Sequence, residues 1–366
     1  MTGFDAAVVG LGPAGRALAH RLLAAGAEVL AIDPAPERPW SQTLAGWQRD
    51  LPAWLPEGAI GVRGVRVAMR VSRFRVLAER YAVLDAPALQ EALRLDGARL
   101  EARAVGAAEL DRLRERARLV VDARGALPAG LVGPVPRQTA FGVFLPPETA
   151  RALLPEGADA VLMDWTPAGP AAAADEGPPS FCYTIPAPDG SLLVEETCLA
   201  GRPALDGARL RRRLSERLRR HGVGPDAIEG ARREEVSIPL LRPGRGTPGV
   251  LRFGAAGGQG NPVTGYSVFQ SLAEADATAR SILSGAVPPG RDRPSALRRL
   301  ALRALLRSRA GVVRELFDAF ARLPPRAQRT ILDPRAEAAP LLLAMTRQAA
   351  LMPPRARIAL SRATLL

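Results

Sequence analysis

Two adjacent acids, Glu195 and Glu196, stand inside the otherwise apolar run 190-GSLLVEETCLAGRP-203. Leu192, Leu193 and Val194 precede them, and Cys198, Leu199 and Ala200 follow, a pattern that suits a strand at least partly buried. Burial disfavours the charged form of a carboxyl, and a second carboxyl nearby raises the pKa of one of the two further. Each unit of such a shift is ~1.4 kcal/mol between protonation states. The pair can therefore do one of two things: keep a proton for delivery into an apolar pocket, or hold ion pairs with the many arginines. Strand alternation separates the two acids. Glu195 shares a face with Leu193, Thr197 and Leu199, and Glu196 shares the other with Val194, Cys198 and Ala200.

The elements that must position this strand can be read around it. Asp189-Gly190 is a tight-turn dipeptide and 180-SFCYTIP-186 is a short strand before it, so the acids sit on the second arm of a β-hairpin. Further back, 5-DAAVVG-10, 10-GLGPAG-15, 14-AGRALAHRLLAAG-26 and 27-AEVLAID-33 read as strand, glycine turn, helix and strand. Gly10, Gly12 and Gly15 occupy the G-x-G-x-x-G frame, with Pro13 and Ala14 inside it. Gly10 permits the tight turn, Gly12 lets backbone approach a pyrophosphate, and Gly15 lets the helix pack on the strand. The helix N-terminus offers amide donors to the phosphates, and Asp33, about 20 residues on, is placed for a ribose hydroxyl. Strand, glycine loop and helix return at 249-GVLRFGAAGGQGNPVTGYSVFQSLAEADATARSIL-283, with Gly254, Gly257 and Gly265. Two such loops fit FAD held from both ends, the competing reading being a two-domain NAD-dependent dehydrogenase.

The expected fold is α/β: a discontinuous Rossmann-like FAD domain (1–60, 86–125 and 245–290) and a β-sheet substrate domain (61–85 and 126–244). A C-terminal helical segment (291–366) completes it. The formal charge of +13 invites a nucleic-acid reading. Every basic residue is arginine, however, and after residue 290 arginines outnumber acids about three to one, which localises the surplus in the tail. No nucleic-acid partner is expected. Cys182 and Cys198 make no disulfide framework. The N-terminus lacks a basic signal-peptide region, and no run of about 18 uncharged apolar residues occurs. These features predict a cytoplasmic protein. Neither His20 nor His221 has partners suggesting a metal, and none is expected.

With these elements placed, the chain resembles the flavoprotein lycopene cyclase family of plants, cyanobacteria and some bacteria. The likeness runs through 5-DAAVVGLGPAG-15, 32-IDPAPERPW-40, 119-LVVDARG-125, 138-QTAFGVFL-145 and 161-VLMDWTP-167. The family's Phe-Leu-Glu-Glu-Thr motif is matched by 193-LVEET-197, its late glycine loop by 254-GAAGGQGNPVTGY-266 and its Phe-Asp-Ala-Phe helix by 314-RELFDAFARLPPR-326. One stretch departs: 40-WSQTLAGWQRD-50 keeps Trp40, Trp47 and Asp50 but has Leu44 for the family's tyrosine and Arg49 for its first acid.

The resemblance implies a cyclase that protonates an alkene of lycopene, closes a ring on the cation and loses a proton, with FAD reduced but not consumed and NADPH as reductant. It makes Glu195, ahead of Glu196, the expected proton donor. Asp164 is the third catalytic candidate, orienting the acid or helping to remove the proton. Trp165, Phe181, Tyr183 and Tyr266 are expected to line the substrate pocket. The basic amphipathic helices after 291 are expected to dock on a membrane surface to collect the carotene, or simply to cap the fold. The alternatives are a cyclase of another prenyl chain, an FAD-dependent isoprenoid reductase or hydroxylase, and a flavin-binding protein without activity.

Overall fold

The computed structural model describes residues 3–125, 135–170, 172, 177–240, 247–258, 260–261, 265–286 and 296–365. The expected domain junctions at 126, 244–245 and 290–291, and residues 259 and 262–264 of the late glycine loop, lie outside the described residues. The strands are β1 (Phe4–Val9), β2 (Val29–Asp33), β3 (Leu44–Trp47), β4 (Ile60–Arg70), β5 (Phe74–Leu84), β6 (Arg99–Ala102) and β7 (Ala117–Asp122). They continue with β8 (Arg137–Leu145), β9 (Ala160–Asp164), β10 (Ser180–Pro186), β11 (Leu192–Gly201), β12 (Arg233–Pro239) and β13 (Val250–Arg252).

The fold is mixed α/β. Five strands form a parallel sheet in the order β13-β7-β1-β2-β6. Its central strands carry small and branched apolar residues that are buried on both faces, as a covered parallel sheet requires. From β1 the chain turns at Gly10 and enters the Pro13–Ala24 helix with proline in its first turn, where the missing N–H costs nothing. That helix buries Leu18 and Leu22 on one stripe. It is tied to the Val268–Leu283 helix by an Arg21–Asp276 ion pair at 2.8 Å.

The second sheet has eight strands in the order β12-β8-β11-β10-β9-β4-β5-β3, antiparallel except where β4 meets β9. Leu44–Trp47, within the segment expected to belong to the cofactor unit, is an edge strand of this sheet. The predicted hairpin forms, with Tyr183 opposite Glu195 and Cys182 opposite Glu196. All ten residues of β11 are buried, because both faces of the sheet are covered. One face packs against Leu210, Leu214 and Leu218 of the Gly207–Arg220 helix, which Asp206 caps by accepting from the Arg209 amide at 2.7 Å. The other face looks toward the C-terminal helices Ala296–Arg307, Ala310–Ala321, Pro325–Leu332, Ala338–Ala350 and Pro354–Leu365. Phe320, Leu323 and Ala344 from these helices share a core with Val67, Tyr81 and Leu193 of the sheet.

The sheet also curves onto itself. Glu234 of β12, one edge strand, accepts hydrogen bonds from Thr43, the residue before the opposite edge strand β3.

Candidate active site

A cavity of about 630 Å³ lies between the large sheet, the C-terminal helices and the glycine loops. Phe181, Tyr183, Leu193 and Glu195 contribute from the sheet, Leu305, Phe317 and Phe320 from the helices, and Pro13, Gly265 and Tyr266 from the loops. The walls are therefore mainly apolar, with a few polar groups at fixed places, the usual character of a small-molecule site.

Glu195 is held in that wall by strand pairing. Tyr183 on β10, Glu195 on β11, Gly142 on β8 and Glu234 on β12 stand in one row across four strands. Directly paired residues point to the same face, so the row faces the cavity. Glu195 accepts a hydrogen bond from the Thr197 hydroxyl at 2.6 Å. Burial pushes its carboxyl up to about 8, against the opposing pull of that hydroxyl and with a smaller push from Glu234. Glu234 is also raised by burial, while the Thr43 hydroxyl (2.6 Å) and amide pull the other way.

Glu196 and Asp164 lie on the opposite face. Arg217 of the Gly207–Arg220 helix donates from Nε to Glu196 Oε2 at 2.9 Å, and Ser180 donates to its other oxygen. The same guanidinium lies 3.8 Å from Asp164, which also accepts from the Thr166 amide and hydroxyl. Neither acid reaches the cavity, so the three expected catalytic acids are not brought together. The cause is the period-2 alternation of β11 and of β10, where Cys182 stands between Asp164 and Glu196 in register.

Trp165 is likewise displaced from its expected place. Strand β9 ends at Asp164, and Trp165 falls behind the cavity wall, stacked on Phe317 at 4.7 Å and tilted against Phe181 at 4.9 Å. Phe181, Tyr183 and Tyr266 do line the cavity. The ring of Tyr266 lies 6.2 Å from that of Tyr81, and burial raises all three tyrosine phenols, Tyr266 to about 12.

The glycine loops fit a dinucleotide on local geometry. A Cβ on Gly10, at φ +95°, would meet the backbone of Ala123 and Arg124 at 2.7 Å, and one on Gly15 would meet the Gly10 carbonyl. A Cβ on Gly12 would meet nothing within 4 Å. Space is therefore open before the N-terminus of the Pro13–Ala24 helix, which no side chain caps. Gly254, at φ +69°, approaches the first loop so closely that a Cβ there would stand 2.6 Å from Ala14 Cβ. A Cβ on Gly257 would meet the Arg252 carbonyl, and one on Gly265 the side chain of Gln138. Asp33 accepts from the Leu11 and Ala35 amides at 2.8 Å each, which ties the end of β2 to the turn before the Pro13–Ala24 helix.

The family model described as lycopene cyclase protein matches residues 5–358. The chain belongs to the lycopene cyclase family. This family member is 33% identical to a protein described as an uncharacterized carotenoid cyclase of Deinococcus radiodurans, over 99% of this chain and 93% of that one. It is 29% identical to the lycopene beta cyclase of Synechococcus elongatus, over 77% of this chain and 72% of that one. Among solved structures, this chain shares its fold with a geranylgeranyl bacteriochlorophyll reductase-like protein of Thermoplasma acidophilum. The TM-score is 0.55 at 15% identity, over 98% of this chain and 99% of that one. The p-nitrophenol 4-monooxygenase of Pseudomonas putida has the same fold, with a TM-score of 0.51 at 17% identity over 94% and 97%.

Sequence reading passed over Glu234, Thr43 and Gly142. One signal was available: 233-REEVSIP-239 repeats the motif of adjacent acids inside a short strand. Which residues share a row with Glu195 depends on register between distant strands, which no local pattern carries.

Proposed function

We propose that this lycopene cyclase family member is a reduced-FAD-dependent, redox-neutral cyclase. It protonates a terminal alkene of lycopene or a related isoprenoid and closes an ionone-type ring. The observation that carries this reading is Glu195, a buried carboxyl pushed up to about 8 in the wall of an apolar cavity beside the glycine loops. Such a group stays neutral near pH 7 and can act as a general acid. Gly10, Gly12, Pro13, Ala14, Gly15 and Asp33 would hold one end of FAD, with Gly254, Gly257 and Gly265 meeting the other. When bound and reduced, with NADPH as the reductant, FAD would supply negative charge that offsets a developing cation.

The chain's own residues do the rest. Thr197 orients the Glu195 carboxyl through its hydroxyl. The aromatic rings of Phe181, Tyr183 and Phe317 line the space the carbon chain enters, where their faces stabilise positive charge by roughly 0.5–2 kcal/mol each. Leu193, Leu305 and Phe320 exclude water that would quench the cation. Glu196, Arg217 and Asp164 brace the strand from behind. The division of the chain into an FAD unit, a sheet that carries the acid and a helical segment after 291 belongs to the same proposal.

The Ala338–Ala350 helix is apolar on two sides. Leu341 and Met345 line the cavity, whereas Leu342 and Leu343 are 52% and 54% exposed. Ile358 of the last helix is 53% exposed, with Arg355, Arg357 and Arg362 on the same helix. No helix among the described residues is long and apolar enough to cross a membrane. We assign the exposed leucines and arginines to a membrane surface, where apolar side chains enter the lipid and arginines meet anionic headgroups.

The test is mass-resolved chromatography after anaerobic incubation with lycopene in liposomes, FAD and NADPH. A product of unchanged mass and shorter-wavelength absorption supports cyclisation. A product heavier by two hydrogens or by one oxygen overturns it in favour of a reductase or hydroxylase.

A further inference from the structure

Glu234 is a second buried carboxyl in the cavity wall, and the reading above gives it nothing to do. It stands in the same cross-sheet row as Glu195, with Gly142 paired to both. Two strand spacings put the Glu195 and Glu234 backbones ~9.6 Å apart, and Gly142 places no side chain between them. A Cβ at Gly142 would stand 2.8 Å from Leu193 Cδ1 and 3.1 Å from Glu195 Cβ, so only glycine lets the Leu193 side chain and the stem of Glu195 lean over this position.

The two carboxyls differ in their surroundings. Glu195 accepts from one hydroxyl, that of Thr197. Glu234 accepts at both oxygens: from the Thr43 hydroxyl at 2.6 Å and from the Thr43 amide at 3.0 and 3.2 Å. Donors aimed at both oxygens favour the ionised form. Arg232 donates to Asp189 at 2.7 Å and lies over the Phe144 ring; it makes no ion pair with Glu234, but its charge still pulls that carboxyl toward the ionised form. A charged carboxylate directed inward from an edge strand, where it could have faced water, is costly unless it is used or neutralised.

We infer that Glu234 is the base of the same reaction, taking the ring proton after Glu195 has delivered the first one. The inference rests on the cyclase reading. The protons balance. Glu195 loses its proton to the terminal alkene carbon, and the new carbon–carbon bond leaves a tertiary cation. A carbon–hydrogen bond beside the cation then breaks, its electron pair forming the ring double bond and its proton passing to the Glu234 carboxylate. Return of that proton from Glu234 to Glu195 through the cavity both line resets the site without any co-reactant. Burial raises both carboxyls, but it is opposed at Glu234 by the Thr43 donors and the charge of Arg232, and at Glu195 by one hydroxyl. Carboxyls in unequal surroundings are the usual way one site runs acid and base steps together.

The experiment is Glu234→Gln in the full-length, FAD-loaded protein, assayed with lycopene in liposomes beside wild type and Glu234→Asp. Glutamine keeps an oxygen for Thr43 and loses the basicity. The expected result is a fall in kcat of ~10²-fold or more with little change in KM. Residual product should shift toward other double-bond isomers or a water adduct of the cation, and Glu234→Asp should recover part of the rate. A Glu234→Gln variant with wild-type rate and ring type overturns the proposal. So does one that loses turnover together with its flavin and its thermal midpoint, because Glu234 would then be only a structural joint. If wild type itself gives no cyclised product, the cyclase reading fails and this inference with it.

Discussion

Glu195 and Glu196 are consecutive in the chain yet occupy opposite faces of one sheet, and the two environments differ in kind. Glu196 has an arginine at 2.9 Å behind the sheet, whereas the donor to Glu195 is a neutral hydroxyl at the cavity wall. One acid is ion-paired with an arginine and the other is pushed toward its neutral form by burial.

The two glutamine variants should therefore fail differently. Glu195→Gln is expected to abolish turnover while retaining bound flavin and a near-native unfolding midpoint. Glu196→Gln removes the near counter-charge of the buried Arg217, leaving it only Asp164 at 3.8 Å, and should cost about 3 kcal/mol of stability. Urea unfolding and flavin absorbance of the purified variants distinguish the two. A Glu195→Gln protein that still turns over would eliminate Glu195 as the acid.

Turnover should decline as pH rises through about 8, where Glu195 gives up the proton it must deliver. The stability effect has a definite sign. The folded value lies above the ordinary 4.5, so the folded state holds the proton more tightly and this contribution is complete below 4.5. It is lost across the window from 4.5 to about 8, by up to ~1.4 kcal/mol per pH unit. Unfolding midpoints of wild type and Glu195→Gln between pH 5 and 9 measure it: the difference between them should depend on pH in that direction.

Gly254→Val tests the meeting of the two glycine loops. A side chain there is strained at φ +69° and would collide with Ala14, so the purified variant should carry little flavin. Gly26→Ala, at φ +82° with open space around it, controls for backbone strain alone and should keep its flavin.

Leu342→Asp combined with Leu343→Asp tests the proposed lipid contact. Co-flotation with anionic vesicles should weaken at least tenfold, and lycopene turnover from liposomes should fall. Turnover of detergent-dispersed lycopene should stay near wild type, because both side chains point away from the cavity. Unchanged flotation would remove this surface from consideration.

Much of the fold was legible because it is written in local chemistry. Gly10, Gly12 and Gly15 punctuate a strand and a helix, Asp189-Gly190 turns the hairpin, and alternation along 192–201 correctly put Glu195 and Glu196 on different faces. Alternation alone could not say which face held the cavity. That depends on the Gly207–Arg220 helix covering one side and the C-terminal helices the other. Asp164 and Trp165 were drawn to the site by their place in a motif, but the end of β9 and the reach of Arg217 send them elsewhere. Glu234 went unnoticed because its relation to Glu195 is a matter of register between strands far apart in sequence.

The contact between Thr43 and Glu234 spans 191 residues of chain, and the parallel sheet is likewise completed by its late strand, β13. Loop closure of that length slows folding, since the entropy of bringing distant segments together is lost before their contacts return it. A growing chain therefore exposes both unfinished sheets until residues beyond 230 have emerged. During that interval β8 and β7 present unpaired edges, the kind of surface on which strands from other chains add. Slow expression at low temperature, or co-production of chaperones that shield nascent chains, should raise the yield of folded protein more than any change to the mature surface.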